Sequence, residues 1–356
     1  MFYRFRQNLS EKLVYLCLAV SCGVVSVGAQ VSLCGDQPGI AVSNGIYNVI
    51  NNEFNSAAPE CIDVTDKGFR VTQSAITSGS PGGYPSIYKG CHWGVCTSQS
   101  GLPIQVSTLA GLKSDWATIQ PASGQYVAAY DLWFNTTPAT QKRPDGAELM
   151  IWVNRVGGLL PAGSRAASNV KISGASYNVY LKKDEHYIAY VKTQAATSVE
   201  NLDLQAFIKD AASRGYIQRE WYLICVAAGF ELWQGGAGLA TNSFSVTAEN
   251  SLSKAKLKVW WPADQAKVSG TQSFKARLDK TPITAYRMYW SVDGGKSNLM
   301  ADSSEGFEHK EASIDFSSWR WSDGGDYYGP FLVTFTAEDL SGVTAVQKTI
   351  RLYVAK

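Results

Sequence analysis

Short apolar segments alternate with turn-forming residues along most of the chain. Between residues 45 and 246, runs rich in Val, Ile, Tyr, Trp and Thr are separated by clusters of Gly, Pro, Ser and Asn. Runs of this kind are typical of β-strands joined by turns. One segment, 201–214, instead places apolar residues at near-helical spacing and is followed by Gly215, which suits a helix C-cap. The pattern predicts an all-β body with one helix.

A second set of strand patterns begins at Leu257, after a polar stretch without aromatic residues. The segments predicted as strands there are 272–278, 285–292, 312–316, 331–337 and 346–354. Turn signals such as Asp293-Gly294-Gly295 lie between them, and this spacing predicts a small immunoglobulin-like β-sandwich. We therefore predict a leader at 1–29, a first β-domain at 30–247, a linker at 248–255 and the sandwich at 256–356.

The leader has the organisation of a secretory signal peptide. A basic start containing Arg4 and Arg6 precedes an apolar stretch over 13–27, and Ala29 ends a small-residue cleavage pattern. A membrane anchor is the competing interpretation, but the apolar run is short against the roughly 20 residues that span a bilayer. Processing as a lipoprotein at Cys22 is a further alternative. We predict a secreted, extracellular protein, with the periplasm as the alternative location and no membrane contact after cleavage.

Seven cysteines are present, and two of them lie in the predicted signal peptide. The other five would lie in an oxidising compartment, where pairing of four is expected. Cys91 and Cys96 enclose a loop short enough to predict a disulfide from the sequence. Cys225 lies in a continuous apolar run and is predicted to be a small buried residue. By elimination, Cys34 is predicted to pair with Cys61.

The formal net charge is only +2, and neither sign forms a long run. This distribution lacks the electrostatic signature of binding to nucleic acid or to an anionic membrane, so a neutral partner is expected. His186 and His309 have no companions at metal-ligand spacing, and no metal site is predicted. The sequence contains neither a Gly-rich phosphate loop after a strand nor a Gly-x-Ser-x-Gly elbow, so no cofactor and no esterase activity are predicted. Asn135-Thr136-Thr137 is a glycosylation sequon.

Three predicted strands carry a carboxylate on the same face as aromatic or polar side chains. By strand alternation, these faces hold Glu148, Met150, Trp152 and Asn154; Asp131 and Trp133; and Glu231 and Trp233. One such carboxylate alone would most simply be an ordinary residue of an edge strand. Three in matching aromatic surroundings favour cleavage of a glycosidic bond, which needs paired carboxyl groups and flat apolar platforms for sugar rings.

Four segments resemble glycoside hydrolase family 12 and occur in that family's order. They are Tyr47-Asn48-Val49-Ile50-Asn51-Asn52-Glu53-Phe54, the stretch 84–94, the strand 148–154, and Gly229-Phe230-Glu231-Leu232-Trp233-Gln234-Gly235-Gly236. The resemblance spans residues 31–246 and implies a β-jelly roll of two curved antiparallel sheets with an open groove. It also implies retaining hydrolysis of a β-glucan polysaccharide, namely cellulose, mixed-linkage glucan or xyloglucan, without a cofactor.

The resemblance further implies roles for individual residues. The nucleophile falls on Glu148, the acid/base on Glu231, and a carboxylate that assists the nucleophile on Asp131. Together with the strand faces above, the predicted sugar contacts are Asn52, Phe54, Tyr88, His92, Trp93, Trp133, Met150, Trp152, Asn154 and Trp233. The family usually has Trp where this chain has Phe54. The smaller ring is expected to weaken stacking, which affects substrate preference rather than reaction type.

Two other functions remain open from the sequence. A non-catalytic glucan-binding protein would use the same aromatic groove without needing both acids, and a xylanase of related jelly-roll shape would carry a similar glutamate pair. The presence of both Glu148 and Glu231 favours an enzyme, and the four family segments favour a glucanase. A monomer is expected, and the sequence does not decide which glucan is preferred.

The C-terminal sandwich has two possible roles. Its aromatic residues could form a carbohydrate-stacking surface, which would concentrate the enzyme on a polymer, or they could fill a core and its edges. They are Trp260, Trp261, Trp290, Trp319, Trp321, Tyr327 and Tyr328. We prefer a spacer or packing domain.

Overall fold

The computed structural model describes residues 31–77, 79–250, 255–279, 286–303, 309–320, 325–338 and 344–356. The predicted signal peptide, with its anchor and lipoprotein alternatives, lies outside these residues. So does the part of the predicted linker at 251–254, whereas 248–250 belong to a strand. No helix among the described residues is long and apolar enough to cross a membrane.

The described residues up to position 250 form seventeen strands and one α-helix. In chain order they are β1 (Val31–Cys34), β2 (Ile40–Val42), β3 (Tyr47–Ile50), β4 (Glu60–Thr65), β5 (Gly68–Ser74), β6 (Ser86–His92), β7 (Val95–Cys96), β8 (Ile104–Gln105), β9 (Leu109–Ile119), β10 (Gln125–Asn135), β11 (Glu148–Val156), β12 (Ser164–Ile172), β13 (Ala175–Lys182), β14 (Tyr187–Lys192), β15 (Ser198–Asp203), α1 (Leu204–Ser213), β16 (Tyr222–Gln234) and β17 (Ala240–Asn250). Short 3-10 turns occupy Ser43–Gly45, Val106–Thr108 and Lys183–Glu185.

The strands of this first domain form two sheets. The six-stranded sheet has the order β1-β4-β5-β17-β9-β15. The second sheet has eleven strands and follows the order β12-β13-β14-β11-β10-β16-β6-β3-β2, with β7 paired to β6 and β8 paired to β16. β11 and β14 run parallel, and their neighbours pair antiparallel. The prediction of an all-β body with one helix is confirmed.

Aromatic side chains from both sheets meet in one core. The ring centroids of Phe69 in β5 and Phe230 in β16 are 5.9 Å apart, and those of Trp116 in β9 and Tyr130 in β10 are 5.2 Å apart. All four residues are at most 1% exposed. Because successive side chains of a strand point to opposite faces, the residue after Tyr130 and the residue after Phe230 must project from the other face of the large sheet. These residues are Asp131 and Glu231.

Helix α1 begins three residues later than the sequence predicts. The side chain of Asp203 accepts a hydrogen bond from the backbone N–H of Ala206 at 3.1 Å and so caps the helix. Residues 198–203 form β15 instead and pair with β9. The near-helical spacing is nevertheless meaningful, since the buried face of α1 consists of Leu204, Phe207, Ile208 and Ala211.

Both predicted disulfides are present. Cys34 at the end of β1 is bonded to Cys61, its direct cross-strand partner in β4. Cys91 in β6 is bonded to Cys96 in β7, which closes a tight loop. Cys225 is a fully buried free thiol, as predicted.

The described residues from position 255 onward form two sheets around a second core. Their strands are β18 (Lys256–Trp261), β19 (Ala266–Val268), β20 (Thr271–Asp279), β21 (Arg287–Val292), β22 (Asn298–Leu299), β23 (Ala301–Asp302), β24 (Lys310–Asp315), β25 (Tyr327–Glu338) and β26 (Thr344–Ala355), with a 3-10 turn at Phe316–Ser318. One sheet has the order β18-β20-β24-β23 and the other β19-β26-β25-β21-β22. Phe274 and Phe335, both fully buried, join the two sheets with ring centroids 5.3 Å apart. This arrangement is a β-sandwich.

Candidate active site

Three carboxylates lie on neighbouring strands at the centre of the eleven-stranded sheet. β10 carries Asp131 and lies between β11, which begins with Glu148, and β16, which carries Glu231. In the register, Glu148 is opposite Trp133 and Glu231 is opposite Val127. Positions 127, 131 and 133 share one face of β10, and directly opposed residues share a face as well. All three carboxyl groups therefore project from the face opposite the core.

These carboxyl groups line a single cavity of about 910 Å³. That volume is near the upper end of the range of ligand-binding sites. The residues predicted from the sequence that form its walls are Asn52, Phe54, Tyr88, His92, Trp93, Asp131, Trp133, Glu148, Met150 and Glu231. The fold thus brings together all three predicted acids and most of the predicted sugar contacts.

Three predicted sugar contacts lie outside the walls of this cavity. Trp152 is 2% exposed, and its indole N–H points to the sulfur of Met150 at 3.5 Å. Trp233 packs against the buried cluster that contains Met150 and Trp152. The amide of Asn154 donates a hydrogen bond to Gln120. Alternation assigned the face of Trp152 and Trp233 but not their distance along the strand, which for Trp152 is roughly 13 Å from Glu148. The predicted face of Asn154 is wrong, because a β-bulge in β11 places it opposite Ala128, which belongs to the core. The contact of these three residues with a sugar remains a prediction.

Aromatic rings form one side of the cavity. Trp93 is 41% exposed and stands on the loop closed by the Cys91–Cys96 disulfide. Its ring centroid is 3.9 Å from that of His92 and 5.1 Å from that of Trp133. Burial lowers the pKa of His92 to about 4, so this imidazole is neutral near pH 7. The surface offers flat apolar rings beside a neutral hydrogen-bonding group, which suits an uncharged sugar.

The charge on Glu148 is disfavoured by its surroundings. Burial is the largest cause of the rise in its pKa to about 8, and the carboxylates of Glu231 and Glu185 add to the rise. The guanidinium of Arg143 opposes it. Among the described residues, no group of three or more His, Cys, Asp or Glu side chains is arranged to hold a metal ion.

The other two acids are also shifted towards their protonated forms. Burial raises the pKa of Glu231 to about 7, and the nearby indole N–H of Trp233 opposes this rise without forming a full hydrogen bond. Burial, followed by the charge of Glu148, raises the pKa of Asp131 well above its usual range. Because like charges crowd in one buried cleft, the cluster holds fewer than three negative charges near neutral pH.

Two carboxyl oxygens in the cluster are buried and have no hydrogen-bond partner among the described residues. The indole N–H of Trp133 donates to Oδ2 of Asp131 at 2.7 Å, whereas Oδ1 of the same group lacks a donor. Oε2 of Glu231 also lacks one. Such atoms cost free energy unless a proton, a water molecule or a ligand satisfies them. They are suited to a shared proton or to a substrate oxygen.

The loop between β10 and β11 is anchored by Asn135. The side-chain amide of this residue donates to the carbonyl of Ala139 and accepts from the backbone N–H of Asp145 at 3.1 Å. Asp145 in turn accepts from the backbone N–H and the hydroxyl of Thr136 at 2.8 and 3.0 Å. Since Asn135 is 5% exposed and both its amide atoms are engaged, the folded protein does not present the sequon asparagine for modification.

Replacing Asn135 by alanine is expected to lower the free energy of unfolding by about 1–3 kcal/mol, because its two side-chain hydrogen bonds, to the carbonyl of Ala139 and from the N–H of Asp145, are lost. Urea denaturation measures this change, and Lys142→Ala, an exposed residue of the same loop, is the matched control. A variant as stable as the control would contradict the anchoring role.

Several wall residues were not found from the sequence. They are Asp36, Gln37, Pro38, Gly39, Ile50, Asn55, Tyr84, Val95 and Arg143. The Pro-Gly pair at 38–39 indicates a turn, but its place beside the cavity follows from the pairing of β1 with β4 and the disulfide between them. Arg143 lies in a polar loop and had no pattern to distinguish it from a solvent-exposed cation.

Comparisons with known proteins agree with this site. The family model of glycosyl hydrolase family 12 matches residues 45–249. Among curated proteins, probable cellulase Cel12b of Mycobacterium tuberculosis is 31% identical over 148 residues, which cover 41% of this chain and 96% of that protein. Probable xyloglucan-specific endo-beta-1,4-glucanase A of Aspergillus clavatus is 26% identical over 245 residues, which cover 65% and 97%.

A solved structure matches the first domain. Endoglucanase cel12A from Rhodothermus marinus is 45% identical, with a TM-score of 0.60, and the match covers 62% of this chain and 99% of that one. The predicted jelly roll is thereby confirmed. The chain belongs to glycosyl hydrolase family 12 and is a glycoside hydrolase.

Proposed function

We propose that the protein is a secreted endo-β-1,4-glucanase that cleaves its polymer with retention of anomeric configuration. The observation that carries this proposal is the cluster of the buried Asp131 and the half-buried Glu148 and Glu231, which lie on neighbouring strands and line one aromatic-walled cavity. Retaining hydrolysis needs one carboxyl group that holds a proton and a second that attacks carbon. The relatives described as a cellulase and an endoglucanase support a β-1,4-glucan as the substrate.

In the proposed mechanism, Glu231 is the acid/base and Glu148 the nucleophile. Glu148 and Glu231, whose pKa values are raised to about 8 and about 7, share protons near neutral pH. In the reactive form Glu231 holds the proton and gives it to the glycosidic oxygen while the carboxylate of Glu148 attacks the anomeric carbon. The bond to the leaving sugar breaks, and an ester between Glu148 and the remaining sugar forms. Glu231, now ionised, then removes a proton from water, and the resulting attack on the anomeric carbon releases Glu148. Two inversions leave the anomeric configuration unchanged.

Asp131 assists by its place beside the nucleophile. Its Oδ2 accepts the indole N–H of Trp133, so a proton on this acid is directed to Oδ1, which has no other partner among the described residues. A protonated Asp131 can donate to a neighbouring carboxylate and would stabilise Glu148 in its charged form.

The test of this function is a product analysis with the mature protein. Carboxymethyl cellulose, mixed-linkage β-glucan, xyloglucan and xylan are each incubated while viscosity and reducing ends are followed. An endo-acting glucanase lowers the viscosity of a glucan much earlier than reducing ends accumulate, and proton NMR shows the β-anomer first. Release of the α-anomer first would exclude retention, preference for xylan would favour a xylanase, and binding without cleavage would favour the non-catalytic alternative.

Secretion is supported by two further features. The basic and apolar pattern before Gln30 is that of a signal peptide, and two disulfides are typical of proteins outside the cytoplasm. Mass spectrometry of the protein recovered from culture medium or periplasm should give a mature N-terminus at Gln30. Retention of residues 1–29, or a lipid-modified Cys22, would contradict cleavage after Ala29.

For the C-terminal sandwich we propose an immunoglobulin-like spacer. Trp290 and Trp319 stack with ring centroids 6.3 Å apart and pack against the domain core, as does Tyr328. These aromatic rings are therefore used internally. Trp261 is 42% exposed, and its indole N–H is held by Gln272 at 2.9 Å. It is the strongest remaining candidate for a stacking surface among the described residues of this domain, while Trp321 lies outside them.

In a full-length chain made inactive by Glu148→Gln, Trp261→Ala is expected to leave retention on insoluble cellulose within about 2-fold. The comparison variant is Trp93→Ala, which removes an exposed ring from the catalytic cavity and should reduce retention more. A sedimentation assay with washed cellulose measures both. Loss of most binding in Trp261→Ala would contradict the spacer role and favour a carbohydrate-binding module.

A further inference from the structure

Arg143 is the one permanently cationic side chain among the described residues that line the cavity. The loop that carries it is held at its two ends by Asn135 and Asp145. The loop tip also lies against the disulfide loop, because a Cβ atom added to Gly94 would come within 3.2 Å of the carbonyl oxygen of Gln141. The position of this cation is therefore set by a braced loop rather than by chance exposure.

The guanidinium has no ion-pair partner among the described residues. A glucan carries no charge, so binding of the substrate does not by itself require an arginine in the wall of the cavity. We therefore consider the electrostatic effect of Arg143 on Glu148, which lines the same cavity. Arg143 is exposed, so water weakens its field, and its effect on the half-buried Glu148 is expected to be moderate.

Every other charged or titratable group facing Glu148 disfavours its ionisation or is neutral. Asp131 from β10, Glu231 from β16 and Glu185 from the turn before β14 disfavour it, and Tyr187 from β14 and Tyr84 from the segment before β6 are neutral. Three further groups line the same cavity, namely the neutral His92 and Tyr88 from β6 and the acid Asp36 from the turn after β1. Burial acts in the same direction. The pKa of Glu148 is already raised to about 8 with Arg143 present. Without this cation the pKa would rise further, and a smaller fraction of the enzyme would carry the ionised nucleophile at acidic pH.

We propose that Arg143 is a positioning residue that shifts the proton shared by the two glutamates from Glu148 towards Glu231, and that it thereby extends activity to lower pH. This inference rests on the proposed function, because it assigns the nucleophile to Glu148. Arg143 itself need not touch the sugar. The braced loop holds the positive charge of Arg143 in the cavity wall, where it favours the negative charge that Glu148 needs for its attack.

The test is the pH profile of kcat/KM on a soluble glucan for Arg143→Gln, Arg143→Lys and Lys142→Gln. Removing the cation raises the pKa of Glu148, so the acidic limb of the profile moves to higher pH. We expect a shift of about 0.5–1 unit in Arg143→Gln, which lowers kcat/KM about 3- to 10-fold on the acidic side. Arg143→Lys should restore most of the wild-type limb, and Lys142→Gln, one residue away on the same loop, should not move it.

The salt dependence of the pH profile is a second, independent test, because ions screen exposed charges. Raising NaCl to about 1 M screens the repulsion by neighbouring carboxylates in both proteins but the attraction of Arg143 only in the wild type, so the separation between the two acidic limbs should narrow. Equal salt shifts in both proteins would overturn the proposal.

A different result would identify a sugar contact instead. If Arg143→Gln raised KM by the same factor at every pH and left the limb in place, the positioning role would be excluded. Failure of the proposed function has a separate signature, since the wild type would then not hydrolyse glucans or Glu148→Gln would remain active.

Discussion

Replacing Glu148 by glutamine is expected to lower kcat/KM on a soluble β-1,4-glucan by at least about 10³-fold, because the amide cannot form the glycosyl ester. The loss should appear in kcat, since the side chain keeps its volume and the cavity walls are unchanged. Initial rates of reducing-end release measure it. Glu200→Gln, an exposed carboxylate on β15, is the matched control and should retain wild-type rates.

The roles of the two glutamates can be separated by azide. In Glu148→Ala, azide should attack the anomeric carbon from the vacated side and give an α-glycosyl azide, with one inversion. In Glu231→Ala, Glu148 still forms the ester, so azide should give a β-glycosyl azide after two inversions. Activated aryl glycosides are the substrates, because their leaving groups need little protonation. The opposite pairing of products would exchange the two assignments, and a fully active Glu148→Gln would remove Glu148 from the mechanism.

Replacing Glu60 by glutamine is expected to make the protein more resistant to alkaline pH. Glu60 is fully buried in β4, and neither of its carboxyl oxygens has a hydrogen-bond partner among the described residues. The carboxyl group packs directly on Gly83, where an added Cβ atom would lie 2.3 Å from Oε2. Burial, followed by the charge of Glu53, raises the pKa of Glu60 to about 8.

The direction of the pH effect follows from this raised pKa. The folded protein retains the proton on Glu60 up to about pH 8, whereas the unfolded chain releases it near the ordinary value of 4.5. The wild type therefore has the full contribution below pH 4.5 and loses stability as pH rises to about 8. An amide has no proton to lose. The free energy of unfolding of Glu60→Gln relative to the wild type should grow by about 1–3 kcal/mol between pH 5 and pH 8.

Chemical denaturation across this pH range measures the difference. The comparison of two pH values cancels the pH-independent cost of burying the amide, so the variant need not be more stable at every pH. Glu200→Gln again serves as the exposed control and should track the wild type. A constant difference between Glu60→Gln and the wild type from pH 5 to pH 8 would show that Glu60 is already ionised in the folded state.

Strand alternation predicted the most informative feature of the site. Tyr130 and Phe230 are fully buried in the core, and their neighbours Asp131 and Glu231 line the cavity. The relation between adjacent residues of a strand is local and depends only on backbone geometry. The faces of these strands could therefore be assigned before any pairing was known.

Strand order could not be assigned in the same way. β16 lies beside β10 in the sheet although they are about ninety residues apart in sequence, and this pairing places Glu231 near Asp131. Nothing in the local pattern encodes which distant strand becomes a neighbour. In this protein that information came from the resemblance to a family, and the structure then supplied the register.

Residues outside regular strands show most clearly what strand alternation cannot predict. Arg143 and the turn at 36–39 line the cavity, but loops have no periodicity from which their direction can be read. Trp152 shows a different limit of strand alternation, because it shares the face of Glu148 but is buried further along the strand, and its sugar contact remains a prediction. The start of α1 also differs from the prediction, because Asp203 caps the helix and the residues before it form β15, which pairs with β9.

The sequence by itself determined the all-β class, both disulfides, the buried state of Cys225 and the strand faces that carry Asp131, Glu148 and Glu231. Each of these depends on short-range geometry or on residue type. The tertiary structure decided which walls surround the acids, that Asn135 is closed to modification, that the carboxyl group of Glu60 has no hydrogen-bond partner among the described residues and that Arg143 lines the same cavity as Glu148. Those facts depend on contacts between distant segments, and such contacts exist only after the sheets have paired and packed.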